Sequence, residues 1–203
     1  MEEFGQLIDI LNALHGPRGC PWDKKQTFQT LRSYILEEVH ELLDSVDEND
    51  VEGMVEELGD LFFQILFFAK LGEKSGFFNL KDVIKGVSKK LIRRHPHVFG
   101  DLKAETPEEV IDHWERVKQE EKKERKTSFR EIPKTLNGLA RAQKIISKLH
   151  RKKIAFPEKR EEESLEFSIG EQLLDVVIRA HREGLDAESA LRTILKRFEA
   201  LLG

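Results

Sequence analysis

Several features that would narrow a functional reading are scarce in this chain. Cys20 is the single cysteine among 203 residues, so no intramolecular disulfide can form, and a reducing compartment suits the chain best. The most apolar run, Leu61 to Ala69, is interrupted by Gln64 and falls far short of the roughly 20 residues a membrane helix needs. Positive charge is not in excess: 34 Lys and Arg stand against 38 Asp and Glu, a net charge of −4. That balance gives no general attraction to DNA, RNA or an anionic membrane, because such binding depends on clustered positive charge. The N-terminus, Met1-Glu2-Glu3-Phe4, has neither the basic region nor the apolar core of a secretory signal. A soluble cytoplasmic protein with no nucleic-acid or membrane partner is expected.

What is present is a helical alphabet. The chain is 39% apolar and 35% charged, enough for a core beneath a densely charged surface, in one large domain or two small ones. The six prolines fall outside the periodic segments or at their starts, and β-branched runs are few, so the fold is expected to be all-α. Phe4, Leu7, Ile8, Leu11 and Leu14 give a first helix over Glu3 to Leu14, broken by His15-Gly16-Pro17 and the loop that follows. A second runs from about Phe28 to Asp47, with Leu31, Ile35, Val39, Leu42, Leu43 and Val46 facing inward. A third begins near Asp50 and ends near Lys74. Its segment from Leu58 to Ala69 is apolar almost all round, so it should be buried on several sides, by its own domain or by a second subunit.

Asn79 is a plausible cap for a fourth helix ending near Arg94, before His95-Pro96. Thr106-Pro107-Glu108-Glu109 reads as a capping box opening a helix through Trp114 to about Lys126. A linker at Thr127 to Pro133 separates two helical halves, 1–126 and 134–203. The second half is expected to hold helices from Leu136 to about Lys152, Ser164 to about Glu183 and Asp186 to Leu202, with a charged connection from Lys152 to Glu163.

Carboxylates at helical spacing mark the candidate chemistry. Glu38 and Glu41 lie three apart on the second helix, and Glu57 and Asp60 three apart on the third, so each helix carries a pair on one face. The short connection makes the helices antiparallel neighbours, and the two pairs can converge. Four carboxylates on otherwise buried faces would repel one another without a cation. Mg²⁺ is the natural ion, being hard, oxygen-seeking and reluctant to shed all its water, with Mn²⁺ as its substitute. Gly59 is expected to allow close helix approach. Glutamates three apart are also common on solvated helix faces, so spacing alone leaves both readings open.

The residues around these pairs add a resemblance. Glu37-Glu38-x-x-Glu41, then fifteen residues, then Glu57-x-x-Asp60, with Gly19-Cys20-Pro21-Trp22-Asp23-Lys24-Lys25-Gln26-Thr27 upstream and Arg93-Arg94-His95-Pro96-His97-Val98-Phe99 and Trp114-Glu115-x-x-Lys118 downstream, resembles the MazG-type nucleoside triphosphate pyrophosphohydrolases. It covers about residues 5–120. The resemblance implies a four-helix-bundle-like catalytic module whose Glu38, Glu41, Glu57 and Asp60 hold Mg²⁺ and carry catalysis. It implies cleavage of nucleoside triphosphates between the α- and β-phosphates, releasing monophosphate and pyrophosphate. It makes Lys90 and Arg94, with Arg93 a weaker candidate, phosphate contacts, and Trp114 and Lys118 base-stacking and phosphate candidates. The loop from Trp22 through Lys25 to Gln26 is a further nucleotide-pocket candidate. The family typically forms homodimers through apolar helices like the third.

The second half departs from that pattern. Gly170-Glu171-Gln172-Leu173-Leu174-Asp175-Val176-Val177 aligns with Gly59-Asp60-Leu61-Phe62-Phe63-Gln64-Ile65-Leu66, yet Ser168 stands where Glu57 does and Glu171 where Asp60 does. Leu201 stands where Arg94 does, and no counterpart of the Glu37–Glu41 helix precedes it. A degenerate, inactive copy is expected. The competing class is a non-hydrolytic helical module that binds nucleotide or protein. A di-iron bundle is disfavoured: Glu37-x-x-His40 has the spacing, but Asp60 stands where a second histidine belongs. Two histidines around a proline, His95-x-His97, are weak evidence for a transition-metal site.

Overall fold

The computed structural model describes residues 2–125, 132–155 and 164–202, and the regular structure among them is entirely helical. Two compact units form, residues 1–118 and 119–203. The first contains α1 (Glu2–His15), α2 (Pro21–Lys25), α3 (Leu31–Glu48), α4 (Val51–Lys74), α5 (Leu80–Arg94), α6 (Pro96–Phe99) and most of α7 (Pro107–Arg125). The division falls within α7, and all but the last two positions of the expected linker 127–133 lie outside the described residues.

Local chemistry sets the helix ends. Asn79 accepts from the Asp82 backbone N–H at 3.1 Å, while the Asp82 carboxylate accepts from the Asn79 N–H at 3.0 Å, a complete capping box at the start of α5. At α7 the box is shifted. Thr106 accepts from the Glu109 N–H at 3.3 Å, but the Glu109 carboxylate reaches the Glu105 N–H, one residue before the cap, at 2.8 Å. The second helix starts at Leu31 rather than the expected Phe28. Thr30 and Thr27 explain the delay, since the Thr30 hydroxyl accepts from the Thr27 N–H at 2.9 Å and donates to Gln26 Oε1 at 2.7 Å. Such side-chain bonds offer the backbone a non-helical alternative.

The expected loop around Trp22 is also different, because Pro21 opens the short helix α2. Proline's fixed φ suits a first helical position, and Lys24 Nζ donates to the Pro17 carbonyl at 2.8 Å, closing the turn.

A two-residue turn joins α3 to α4. Asn49 takes the left-handed conformation at φ 57°, which asparagine tolerates better than most side chains. Asp50 then caps α4, accepting from the Glu52 and Gly53 N–H groups at 3.1 Å each. The short turn forces α3 and α4 antiparallel, and they form the most extensive helix pair of the unit.

Beneath them lies a core of Leu11, Leu31, Leu66, Phe67 and Leu71. Full burial of each such side chain contributes on the order of 1.5–3 kcal/mol. Within α4 the buried positions fall in its second half, from Leu66 to Gly72. In this chain Leu58 is 54%, Phe62 40% and Ile65 41% exposed, so the near-continuous apolar circumference is only partly covered. Gly59 mediates no close approach among the described residues, since a Cβ there would meet nothing within 4 Å.

The second unit contains α8 (Gly138–Arg151), α9 (Leu165–Arg182) and α10 (Ala187–Leu202), opened by caps at Asn137 and Ser164 for the first two. Its core is small: Ile146, Val177 and Ala187. Gln143 on α8 fastens the α9–α10 turn, donating to the Leu185 carbonyl and accepting from the Ala187 N–H, both at 2.9 Å. Among the described residues no helix is long and apolar enough to cross a membrane.

Candidate active site

The antiparallel turn fixes which carboxylates meet. Glu41 lies eight residues before Asn49 and Glu57 seven after Asp50, so they stand almost level; Glu38 and Asp60 are each three residues further out. One carboxylate oxygen from each of Glu38, Glu41 and Glu57 lies within 4.8 Å of the other two. Among the described residues this trio is where three metal-capable side chains meet. Asp60 stands outside the trio. It lies near enough that its charge helps push up both Glu38 and Glu57.

The expected burial of this face is only partly found. Glu38 and Glu57 are half-buried, whereas Glu41 and Asp60 are exposed. Near Glu57 and Asp60, α4 packs on α3 while the flanking Leu58 and Phe62 remain open. Even so, the carboxylates feel one another. Partial burial raises the Glu38 carboxyl above the usual range; a hydrogen bond from Gln64 opposes the rise, and Asp60, Glu41 and Glu37 add to it. Desolvation likewise raises Glu57, followed by the charges of Glu41, Glu56, Asp60 and Glu38. Both shifts reflect the cost of crowding negative charge in a partly dry place.

The donor set is all carboxylate oxygen, which fits a hard divalent cation and not a soft one. Oxygens sharing one Mg²⁺ stand about 3.0–4.2 Å apart, given bonds of roughly 2.1 Å at near-octahedral angles, so the trio, which lies within 4.8 Å, must draw closer to hold one.

A second group gathers at the end of α5. The Arg94 guanidinium sits 5.0 Å from the ring centroid of Trp114, and Lys118 Nζ sits 4.5 Å from it. The two cations and the aromatic surface belong to α5 and α7, so three of the expected substrate contacts are brought together. Lys90 and Arg93 are exposed on the same α5. Trp22 is 50% exposed on α2 and packs edge-on against Tyr34 of α3, with centroids 5.5 Å apart. Lys25 is exposed at the end of α2. His95 and His97 stand with ring centroids 5.6 Å apart, but no third ligand joins them among the described residues. Glu37 and His40 are exposed and belong to no such group.

Two neighbours of the site escape a sequence reading. Tyr34 carried no signal beyond its place on α3. Gln64 did carry one, as the single polar side chain inside the run from Leu61 to Ala69, and it lies one turn beyond Asp60.

Helical architecture and a carboxylate trio on an antiparallel pair define the class: an all-helical unit with a candidate acidic cation centre. Comparison with known proteins narrows it. A family model described as "MazG nucleotide pyrophosphohydrolase domain" matches residues 26–99, the span containing all four carboxylates and the basic end of α5. A Thermotoga maritima protein named nucleoside triphosphate pyrophosphohydrolase/pyrophosphatase MazG is 34% identical over 96% of this chain and 82% of its own length. The chain belongs to the MazG family. A nucleoside triphosphate pyrophosphohydrolase of Escherichia coli is 44% identical over 71% of this chain, and the uncharacterized protein YabN of Bacillus subtilis is 48% identical over 70%. Those matches cover 56% and 29% of the two relatives, so the chain spans only part of their length. Among solved structures, a mazG-related protein from Thermotoga maritima superposes with a TM-score of 0.50 at 29% identity, over 57% of this chain and 98% of that one.

Proposed function

We propose that this chain hydrolyses nucleoside triphosphates to the monophosphate and diphosphate in a Mg²⁺-dependent reaction. The observation that carries the proposal is the meeting of Glu38, Glu41 and Glu57 within 4.8 Å, inside the segment that matches the MazG family. Those three, with Asp60 beside them, would hold the cation. Bound there, a divalent cation supplies neutralising charge for phosphate oxygens and makes water a competent nucleophile near neutral pH.

The remaining chemistry falls to the chain's own side chains. A water oxygen bonds to the α-phosphorus as the bond from that phosphorus to the bridging oxygen breaks, and diphosphate leaves with the bonding pair. The proton lost by the water passes to a carboxylate of the cluster. Lys90, Arg93 and Arg94 supply positive charge for the polyphosphate, with arginine able to grip two oxygens at once. Trp114 and Lys118 offer an aromatic face and a further cation for the nucleoside end. Trp22 and Lys25 on α2 are proposed as the outer edge of the nucleotide pocket.

The exposed apolar stripe of α4, containing Leu58, Phe62 and Ile65, supports a homodimer in which a second copy covers it. With the net charge at −4, no DNA or RNA partner is proposed.

The test is product analysis with each common nucleoside triphosphate and Mg²⁺, beside Glu38→Ala and Glu57→Ala. Equimolar monophosphate and diphosphate, abolished by EDTA and by both substitutions, supports the proposal. Orthophosphate as the primary product refutes the bond assignment. Nucleotide binding without turnover would make the chain a binding module.

A further inference from the structure

Gln64 is out of place by packing criteria. It lies on α4 among Leu61, Phe62, Phe63, Ile65, Leu66 and Phe67, where an apolar side chain would bury surface without a polar group to satisfy. Its Nε2 donates to Glu38 Oε1 on α3 at 3.3 Å, in a partly buried contact. Its Oε1 is buried with no hydrogen-bond partner among the described residues. The amide cannot relieve this by flipping, since that would set its oxygen against an ionised carboxylate, which only accepts. The amide thus leaves one acceptor orphaned while directing its donor at a candidate metal ligand. Burying an unpaired acceptor opposes folding, so stability alone does not account for Gln64.

We propose that Gln64 is a positioning residue for the metal centre. Its amide fixes the rotation of the Glu38 carboxylate, aiming the unbonded lone pairs at the point where Glu41 and Glu57 converge. Glu57 and Gln64 lie seven residues apart on α4, two helical turns along one face, so ligand and support share a rigid element. The inference rests on the trio being a divalent-cation site. Groups that orient a ligand commonly change metal affinity 10- to 100-fold when removed.

The experiment titrates Mn²⁺ alone into the full-length metal-free chain and reads free Mn²⁺ by electron paramagnetic resonance. Wild type is compared with Gln64→Leu, Gln64→Met and Glu38→Ala, and the thermal midpoint of each metal-free protein is recorded. Both Gln64 variants should bind Mn²⁺ about 10- to 100-fold more weakly, with thermal midpoints at or above that of wild type. Mn²⁺ affinity within about twofold of wild type in both, beside a loss in Glu38→Ala, overturns the positioning role and leaves the cation site standing. Affinity that falls only as the thermal midpoint falls assigns Gln64 a structural role instead. Unchanged affinity in Glu38→Ala shows that the trio is not the site, and the Gln64 proposal fails with it.

Discussion

The guanidinium of Arg94 lies 5.0 Å from the ring centroid of Trp114, joining the last residue of α5 to the middle of α7. With Lys118 at 4.5 Å from the same ring, the contact places two cations beside an aromatic surface. A cation–π pair contributes about 0.5–1 kcal/mol at an exposed site and about 2 kcal/mol when desolvated, and both residues here are half-buried. Arg94→Ala should lower kcat/KM for nucleoside triphosphate by at least about tenfold, through a lost phosphate contact, at a temperature where denaturation shows the variant still fully folded. Parallel losses of activity and folding would mark the residue as structural.

Cation binding should stabilise the first unit. A ligand at 100 times its dissociation constant adds about 2.7 kcal/mol when it binds only the folded state. Thermal unfolding with and without Mg²⁺ should show a raised midpoint for wild type and none for Glu38→Ala or Glu41→Ala. EDTA should reverse the shift.

The crowded carboxylates also predict a pH dependence in the metal-free chain. Glu38 is raised above its usual value of 4.5, first by burial and then by its acidic neighbours, against the opposing bond from Gln64. The folded state therefore binds this proton more tightly than the unfolded chain does. The resulting stabilisation is fully present below the unfolded value and is lost as pH rises through the folded one. Without metal, Glu38→Gln should be more stable than wild type at pH 7, and the difference should shrink as the pH is lowered past the carboxylate range. Thermal midpoints across pH 4 to pH 8 test this. A gap that widens on acidification would reverse the sign and reject the account.

The homodimer can be tested at the stripe itself. Leu58 and Ile65 lie seven residues apart on α4, 54% and 41% exposed, and neither belongs to the buried core of the unit. Replacing both with lysine should convert a dimer to a monomer by light scattering, while circular dichroism stays helical. A wild-type monomer at micromolar concentration would refute the proposed interface.

In the second unit, Gln143→Ala removes one donor and one acceptor from the α9–α10 turn. Their loss, one bond exposed and one partly buried, should cost on the order of 1–2 kcal/mol. Hydrogen exchange should quicken around Leu185 and Ala187, with Trp22 and Trp114 emission in the first unit unchanged.

Much of this protein could be read from its sequence, because the relevant signals are local. Helical periodicity, Asn79 and Thr106 as caps, and the spacing of Glu38, Glu41, Glu57 and Asp60 all act within a few residues, where backbone geometry dictates which side chains share a face. Short-range competition was harder to see. The Thr27–Thr30 hydroxyl bonds delayed α3, and Pro21 began a helix where a loop was expected, since each depends on hydroxyl and carbonyl geometry that residue identity does not give.

The sequence by itself determined an all-helical chain and two acidic pairs on consecutive antiparallel helices, because these follow from periodicity and from the brevity of the Asn49–Asp50 turn; the resemblance to the MazG pattern came separately, from the identity of the motif residues. Only the tertiary structure decided that Glu38, Glu41 and Glu57 converge while Asp60 stands apart, that the face is half open, and that Gln64 reaches Glu38 from 26 positions away. These outcomes depend on the rotation of α3 against α4 about their own axes, which is set by how Leu31, Leu66 and Phe67 pack in the core and which no spacing along a single helix encodes.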